Sequence, residues 1–157
     1  MAKSGYSITT GSTVSLTALT PRSVLGVKAG AQFGADLKKF RIGFEGTLPT
    51  AAVVLVEVCA ATFITNAPSS ASTTVNVNQA YGRLPGTGFS AAKAWTSEPT
   101  ILTPLEEYPI TPFAGLLPYD FPLGDTPDSA LGEGFVIRVT SPAGPLNCRA
   151  SAWFERC

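Results

Sequence analysis

Leu37-Lys38-Lys39-Phe40-Arg41-Ile42-Gly43-Phe44-Glu45-Gly46-Thr47 is followed, after a Leu48-Pro49-Thr50 break, by Ala51-Ala52-Val53-Val54-Leu55-Val56-Glu57-Val58-Cys59-Ala60-Ala61-Thr62-Phe63. In the first segment Phe40, Ile42 and Phe44 alternate with Lys39, Arg41, Gly43 and Glu45. A period of two gives one buried and one wet face, so this is a half-buried strand. The second segment is apolar and β-branched with one charge, Glu57, which describes a strand covered on both faces. Gly46 and Pro49 at the join predict that the two form an antiparallel hairpin. So apolar a hairpin needs a second layer, and the expectation is a β-sandwich.

Outward from this centre the same pattern recurs. Residues 12–19 alternate and stop at Pro21; 24–29 and 73–78 read as strands, and 91–95 as a short one. Residues 134–140 and 147–155 read as a closing hairpin, turning at Pro142, Gly144 and Pro145. In the last strand Cys148, Ala150, Ala152 and Phe154 fall on one face, and Arg149, Ser151 and Trp153 on the other. Residues 81–90 and 120–133 read as long surface loops. No amphipathic helix of useful length appears. The fold class is therefore all-β: a single-domain antiparallel sandwich, jelly-roll-like, of about eight or nine strands with long Pro/Gly-rich loops. The small, polar residues 1–11 predict a flexible N-terminal arm, with the sandwich domain at 12–157.

Between residues 98 and 122 prolines recur at 99, 104, 109, 112, 118 and 122. Proline removes a ladder donor, so this region is confined to edge strands and ordered loops. It is also apolar: Ile101, Leu102, Leu105, Tyr108, Ile110, Phe113, Leu116, Leu117, Tyr119 and Phe121. That much apolar area does not lie bare on a stable monomer; it either packs over the open end of the sandwich or forms a subunit interface.

A chain of 157 residues suits one domain with a substantial core. Charged residues are only 14%, against 15 glycines and 13 prolines, as expected of short strands joined by turns. Net charge is zero and the basic residues are scattered, so the phosphate-neutralising patch of a nucleic-acid binder is missing. No run reaches the ~18 apolar residues of a membrane span. The opening Met1-Ala2-Lys3-Ser4-Gly5-Tyr6 lacks the apolar stretch of a secretory leader. The expected partners thus include neither nucleic acid nor membrane. The chain is expected to be made in the cytoplasm and to leave it only in or on a particle.

Cys59, Cys148 and Cys157 are read as free thiols, the first two as small core residues, with a Cys59–Cys148 bridge as the alternative. The chain has no histidine, which removes the commonest general base and the usual triads. A carboxylate pair among Glu57, Glu98, Glu106, Glu107, Asp120 and Glu155 would suffice for glycoside hydrolysis. Glu106 and Glu107 are adjacent, however, so on a strand they point to opposite faces. Glu57 reads more simply as the partner of Arg41 or Arg138. Asp120, Asp125 and Asp128 depart from the spacing of a calcium loop and read as turn residues. Trp95, Trp153, Tyr81 and Tyr108 are candidates for a sugar platform, or for rings at a protein interface. The reading is of a protein that is not an enzyme, with no cofactor and no metal.

Phe44-Glu45-Gly46-Thr47, the Val-rich strand at 53–58, Lys93 followed by Glu98-Pro99-Thr100, and Arg149-Ala150 with Glu155 occur in an order that resembles small virion proteins encoded beside the head genes of tailed bacteriophages and prophages, especially of actinobacteria. The resemblance spans residues 37–156 and departs from the pattern at the ending Phe154-Glu155-Arg156-Cys157, where a second acidic residue is expected. It implies a virion structural protein and carries no catalytic residues. The expected function is that of a capsid decoration or cement subunit, a homotrimer on the capsid surface that binds the major capsid protein. The proline-rich apolar residues would serve subunit contacts, and Lys3, Ser4 and Tyr6 shell contacts. The alternatives are a phage tail or host-recognition module, which would use loops 81–90 and 120–133, and a cellular module binding sugar or protein.

Overall fold

The computed structural model describes residues 4–46, 52–82, 87–142 and 146–157. Lys3, the Leu48-Pro49-Thr50 break, the middle of loop 81–90 and the turn at Gly144 and Pro145 lie outside them. Twelve strands are formed among the described residues: β1 (Gly5–Thr9), β2 (Val14–Leu16), β3 (Arg22–Lys28), β4 (Ala35–Glu45), β5 (Val54–Thr62), β6 (Thr73–Val75), β7 (Asn78–Tyr81), β8 (Ser90–Lys93), β9 (Ile101–Ile110), β10 (Leu117–Asp120), β11 (Gly134–Thr140) and β12 (Leu146–Arg156). They exceed the expected eight or nine because several are only three or four residues long, too short to show a period. Among these residues no helix is long and apolar enough to cross a membrane.

The strands make two antiparallel sheets. The first runs β10-β4-β12-β1-β7, with β2 also on β12; the second runs β6-β8-β3-β11-β5-β9. The pairs β3–β11, β4–β10, β5–β9 and β6–β8 are nested one inside another along the chain. Nested pairing of this kind is a long antiparallel ribbon rolled up, the jelly-roll manner of winding. β12 then inserts between β4 and β1.

Rolling has a consequence for both expected hairpins. β4 lies in the first sheet and β5 in the second, and β11 and β12 are likewise divided. Neither pair is a hairpin; both are arches across the sandwich. Gly and Pro punctuate a connection that spans the ~10 Å between sheets as readily as they do a tight turn. The arch of residues 46–53 is also longer than the two to five residues usual for hairpins.

The main core lies between the sheets. Phe40 and Ile42 of β4, Val54, Val56 and Val58 of β5, and Cys148 and Phe154 of β12 are all fully covered there. β4 carries one extra residue opposite β12, because Trp153 pairs with Lys39 and Phe154 with Leu37. This bulge at Lys38 brings Leu37 and Phe40, three apart, onto the same inner face. The second sheet is also covered outside. Ala61, Phe63, Ala92, Trp95 and Val136 form a smaller cluster there, so β5 is buried on both faces as its sequence predicts. The Trp95 ring lies so close to β3 that a Cβ on Gly26 would sit 3.0 Å from it, which is why that strand carries a glycine.

Residues 1–11 were expected to be a flexible arm. Gly5–Thr9 is instead an inner strand, paired with β12 from Gly5↔Glu155 to Thr9↔Ser151 and with β7 on its other side. Tyr6 and Ile8 point into the core. Two apolar residues among small polar ones gave too weak a period to read.

Candidate functional site

Two surfaces stand out, and both depend on the first sheet. The proline-rich segment supplies the edge strands of both sheets, β9 for the second and β10 for the first, joined by the 3-10 turn Pro112–Ala114. The two strands close one side of the sandwich, where Tyr108 and Tyr119 meet at 5.2 Å and each packs on Phe40, at 5.5 and 6.0 Å. The ten apolar residues thus divide. Tyr108, Ile110, Leu117, Tyr119 and Phe121 pack against the main core, and Leu102 against the outer cluster. Their rings and branches are largely spent on closing the fold and are poor candidates for subunit contacts. Ile101, Leu105, Phe113 and Leu116 turn outward, at 50, 43, 65 and 58% exposure, and Leu123 just beyond is 97% exposed.

The expected shell contacts fare differently. Ser4 is buried and Tyr6 wholly so, stacked on Phe154 and edge-on to Phe89. Neither is available to a partner, because β1 is an inner strand.

The second surface is the outer face of the first sheet. Register places Asp120, Lys39, Trp153 and Ser7 in one row across β10, β4, β12 and β1. The next row is Pro118, Arg41, Ser151 and Thr9. Trp153 is half-buried, with the Lys39 ammonium 5.0 Å and the Arg41 guanidinium 5.2 Å from its ring centre. A groove of about 570 Å³ opens beside the ring, lined by Lys38, Lys39, Tyr81, Asp120, Leu123, Trp153 and Glu155 among others. A second hollow of about 300 Å³ lies around Arg41, Thr9, Thr10 and Ser151, in the next row of the sheet.

The groove floor is a polar cluster that the sequence did not announce. The Lys38 ammonium reaches Asp36 at 2.5 Å and Glu155 at 3.3 Å. Burial alone would lower the Lys38 pKa, but hydrogen bonds and charges from Asp36 and Glu155 outweigh it and hold it above its ordinary value. Tyr81 donates to Glu155 Oε1 at 2.5 Å, and its ring lies against Gly5, where any Cβ would collide with it. Burial, then the bond to Glu155, pushes the Tyr81 hydroxyl up to about 12. These residues lie far apart in sequence and meet through strand register and the bulge at Lys38.

Around the groove Lys39 and Arg41 differ from Lys38, whose ammonium has carboxylate partners. Arg138 is clamped by Glu57, Arg149 pairs with Glu45, and Lys38 is held as above. Among the described residues no carboxylate lies within ion-pair distance of Lys39 or Arg41, and Arg41 Nε is buried without a hydrogen-bond partner.

The remaining candidates are structural. Arg138 donates to both oxygens of Glu57, at 2.8 and 2.7 Å. Glu98 accepts from the Ser23 amide and hydroxyl, and Thr100 bonds Thr65, so the Glu98-Pro99-Thr100 motif pins two loops to the second sheet. Glu106 and Glu107 are exposed on β9. The four rings proposed as a platform do not assemble. Trp95 is buried and donates to the Asn66 carbonyl, Tyr108 faces the core, and only Trp153 and Tyr81 share the groove. Cys59 and Cys148 are buried free thiols, and Cys157 is exposed. Among the described residues no three of His, Cys, Asp and Glu come together to hold a metal ion. Comparison with protein-family models, with curated proteins and with solved structures found no match to the chain.

Proposed function

We propose that this chain is a virion structural protein of the capsid-decoration type, which self-associates as a homotrimer and stabilises an assembled shell of major capsid protein by protein–protein contact. The observation that carries this reading is the set of outward apolar side chains Ile101, Leu105, Phe113, Leu116 and Leu123, in the proline-rich segment and just beyond it. Several large exposed apolar groups in one segment favour a contact surface. Pro104 and Pro109 lie in β9, where they remove backbone donors from the outermost strand. Partners are therefore expected to meet side chains rather than extend the sheet. The resemblance noted in the sequence supplies the viral setting.

The test is sedimentation of the full chain alone and with purified shells. The wild type is expected to associate at micromolar concentration and to co-sediment with shells. Phe113→Asp/Leu123→Asp, both fully surface changes, is expected to weaken association by more than about tenfold, the loss typical of an interface anchor. A wild-type chain that stays monomeric and ignores shells contradicts the proposal. A second reading, a tail or host-recognition module, is favoured by the Trp153 groove and would show as a low copy number in the particle.

A further inference from the structure

We propose that the outer face of the first sheet is a binding site for an acidic saccharide, with a sugar ring packed on Trp153 and its carboxylate or phosphate group held by Lys39 and Arg41. Four observations converge. Trp153 presents a partly exposed indole in the middle of the sheet, with two cations over its ring at 5.0 and 5.2 Å. Those two cations have no carboxylate partner among the described residues, whereas Lys38, Arg138 and Arg149 do. A hollow of about 570 Å³ opens at Trp153 and Lys39 and one of about 300 Å³ at Arg41, within the size range of small-ligand sites. A carboxylate and hydroxyls line them: Thr9 and Ser151 at the Arg41 end, Asp120 at the other.

The combination selects the ligand class. An indole face takes the apolar C–H side of a pyranose, and carboxylates accept hydrogen bonds from sugar hydroxyls. Two unpartnered cations match an acid group, and a guanidinium grips carboxylate or phosphate through paired donors. A purely apolar protein partner would have to desolvate both cations without return. A nucleic acid, with a phosphate at every step, meets too few cations and the repulsion of Asp120 and Glu155. Carboxylate and phosphate sugars share the chemistry this face offers, so the test separates them.

Tryptophan fluorescence reads the site directly, because Trp95 is 1% exposed and Trp153 is the only other tryptophan. The full chain is titrated with tetragalacturonate, a phosphodiester-linked oligosaccharide, neutral galactotetraose and a single-stranded oligonucleotide. Saturable quenching by one or both acidic sugars is expected, with the neutral sugar and the oligonucleotide at least about tenfold weaker. Whichever acidic sugar binds more tightly identifies the acid group. Lys39→Gln and Arg41→Gln, surface changes whose folding is checked by thermal melting, are each expected to weaken binding about tenfold. The proposal is overturned if neither acidic sugar gives saturable quenching. It is equally overturned if the neutral sugar or the oligonucleotide binds as tightly, or if both folded variants bind like wild type.

Discussion

Arg138 and Glu57 face each other across β11 and β5, and the guanidinium takes both carboxylate oxygens. The Glu57 side chain is only 6% exposed, so its charge depends on that clamp. Arg138→Met is expected to destabilise the fold by about 3 kcal/mol, because an unpaired buried carboxylate remains, while Glu57→Leu/Arg138→Leu recovers most of the loss. Chemical denaturation of the three variants measures both. The buried thiols make a second prediction at this scale. Burial pushes Cys59 up to about 11 and Cys148 up to about 12, from 9.0 in an open chain. A raised thiol pKa means that the folded state favours the protonated form. Stability is therefore untouched by these groups below pH 9 and falls as pH rises from 9 through 11 to 12, where only the unfolded chain ionises freely. Melting temperatures from pH 8 to 11 are expected to fall less steeply in Cys59→Ala/Cys148→Ala than in wild type, whatever the offset between the curves. At this scale the sequence was informative where chemistry leaves one answer, as with a lone charge in a β-branched strand. It put Lys39 and Arg41 on one strand face but could not show that no carboxylate reaches them, because that depends on the neighbouring strands.

β9 shows what an element's sequence does and does not reveal. Its prolines announced an edge strand, and it is the last strand of its sheet, because a residue without an N–H cannot serve two neighbours. If Pro104 and Pro109 also guard that edge, restoring donors with Pro104→Thr/Pro109→Thr should promote sheet-to-sheet pairing. The expected result is thioflavin-positive assembly in the variant under conditions where the wild type gives none; equal behaviour would show that the extra residue Leu105, which β9 carries between the Glu106–Val58 and Pro104–Cys59 pairs, or the neighbouring charges already suffice. β12 was legible nearly residue by residue, since burial alternates from Leu146 to Phe154. What it pairs with was not. Alternation specifies which face is buried but not which strand lies alongside, and a rolled ribbon places sequence neighbours in opposite sheets. β1 was missed for the complementary reason: in Gly5–Thr9 only Tyr6 and Ile8 carry the inward period. The bulge at Lys38 was equally hidden, and it sets the Lys38, Asp36 and Glu155 cluster beneath the groove.

For the molecule as a whole, composition and period sufficed for an all-β sandwich, since turn-formers, β-branched runs and the lack of amphipathic helices leave few architectures. The two surfaces required the fold. The proline-rich segment had to divide into an inner half that closes the sandwich and an outer half that remains exposed, and only the nested β4–β10 and β5–β9 pairs impose that division. The groove required five strands in register. The outward apolar set and the groove share a border, since Leu123 lines the groove and Leu116 the second hollow. The central claim is that this chain is a lattice component of a virion, and its copy number in purified particles, measured by quantitative mass spectrometry against the major capsid protein, tests that most directly. Copies in the hundreds, in fixed proportion to the shell subunit, are the predicted result; a handful of copies, or none, would contradict it.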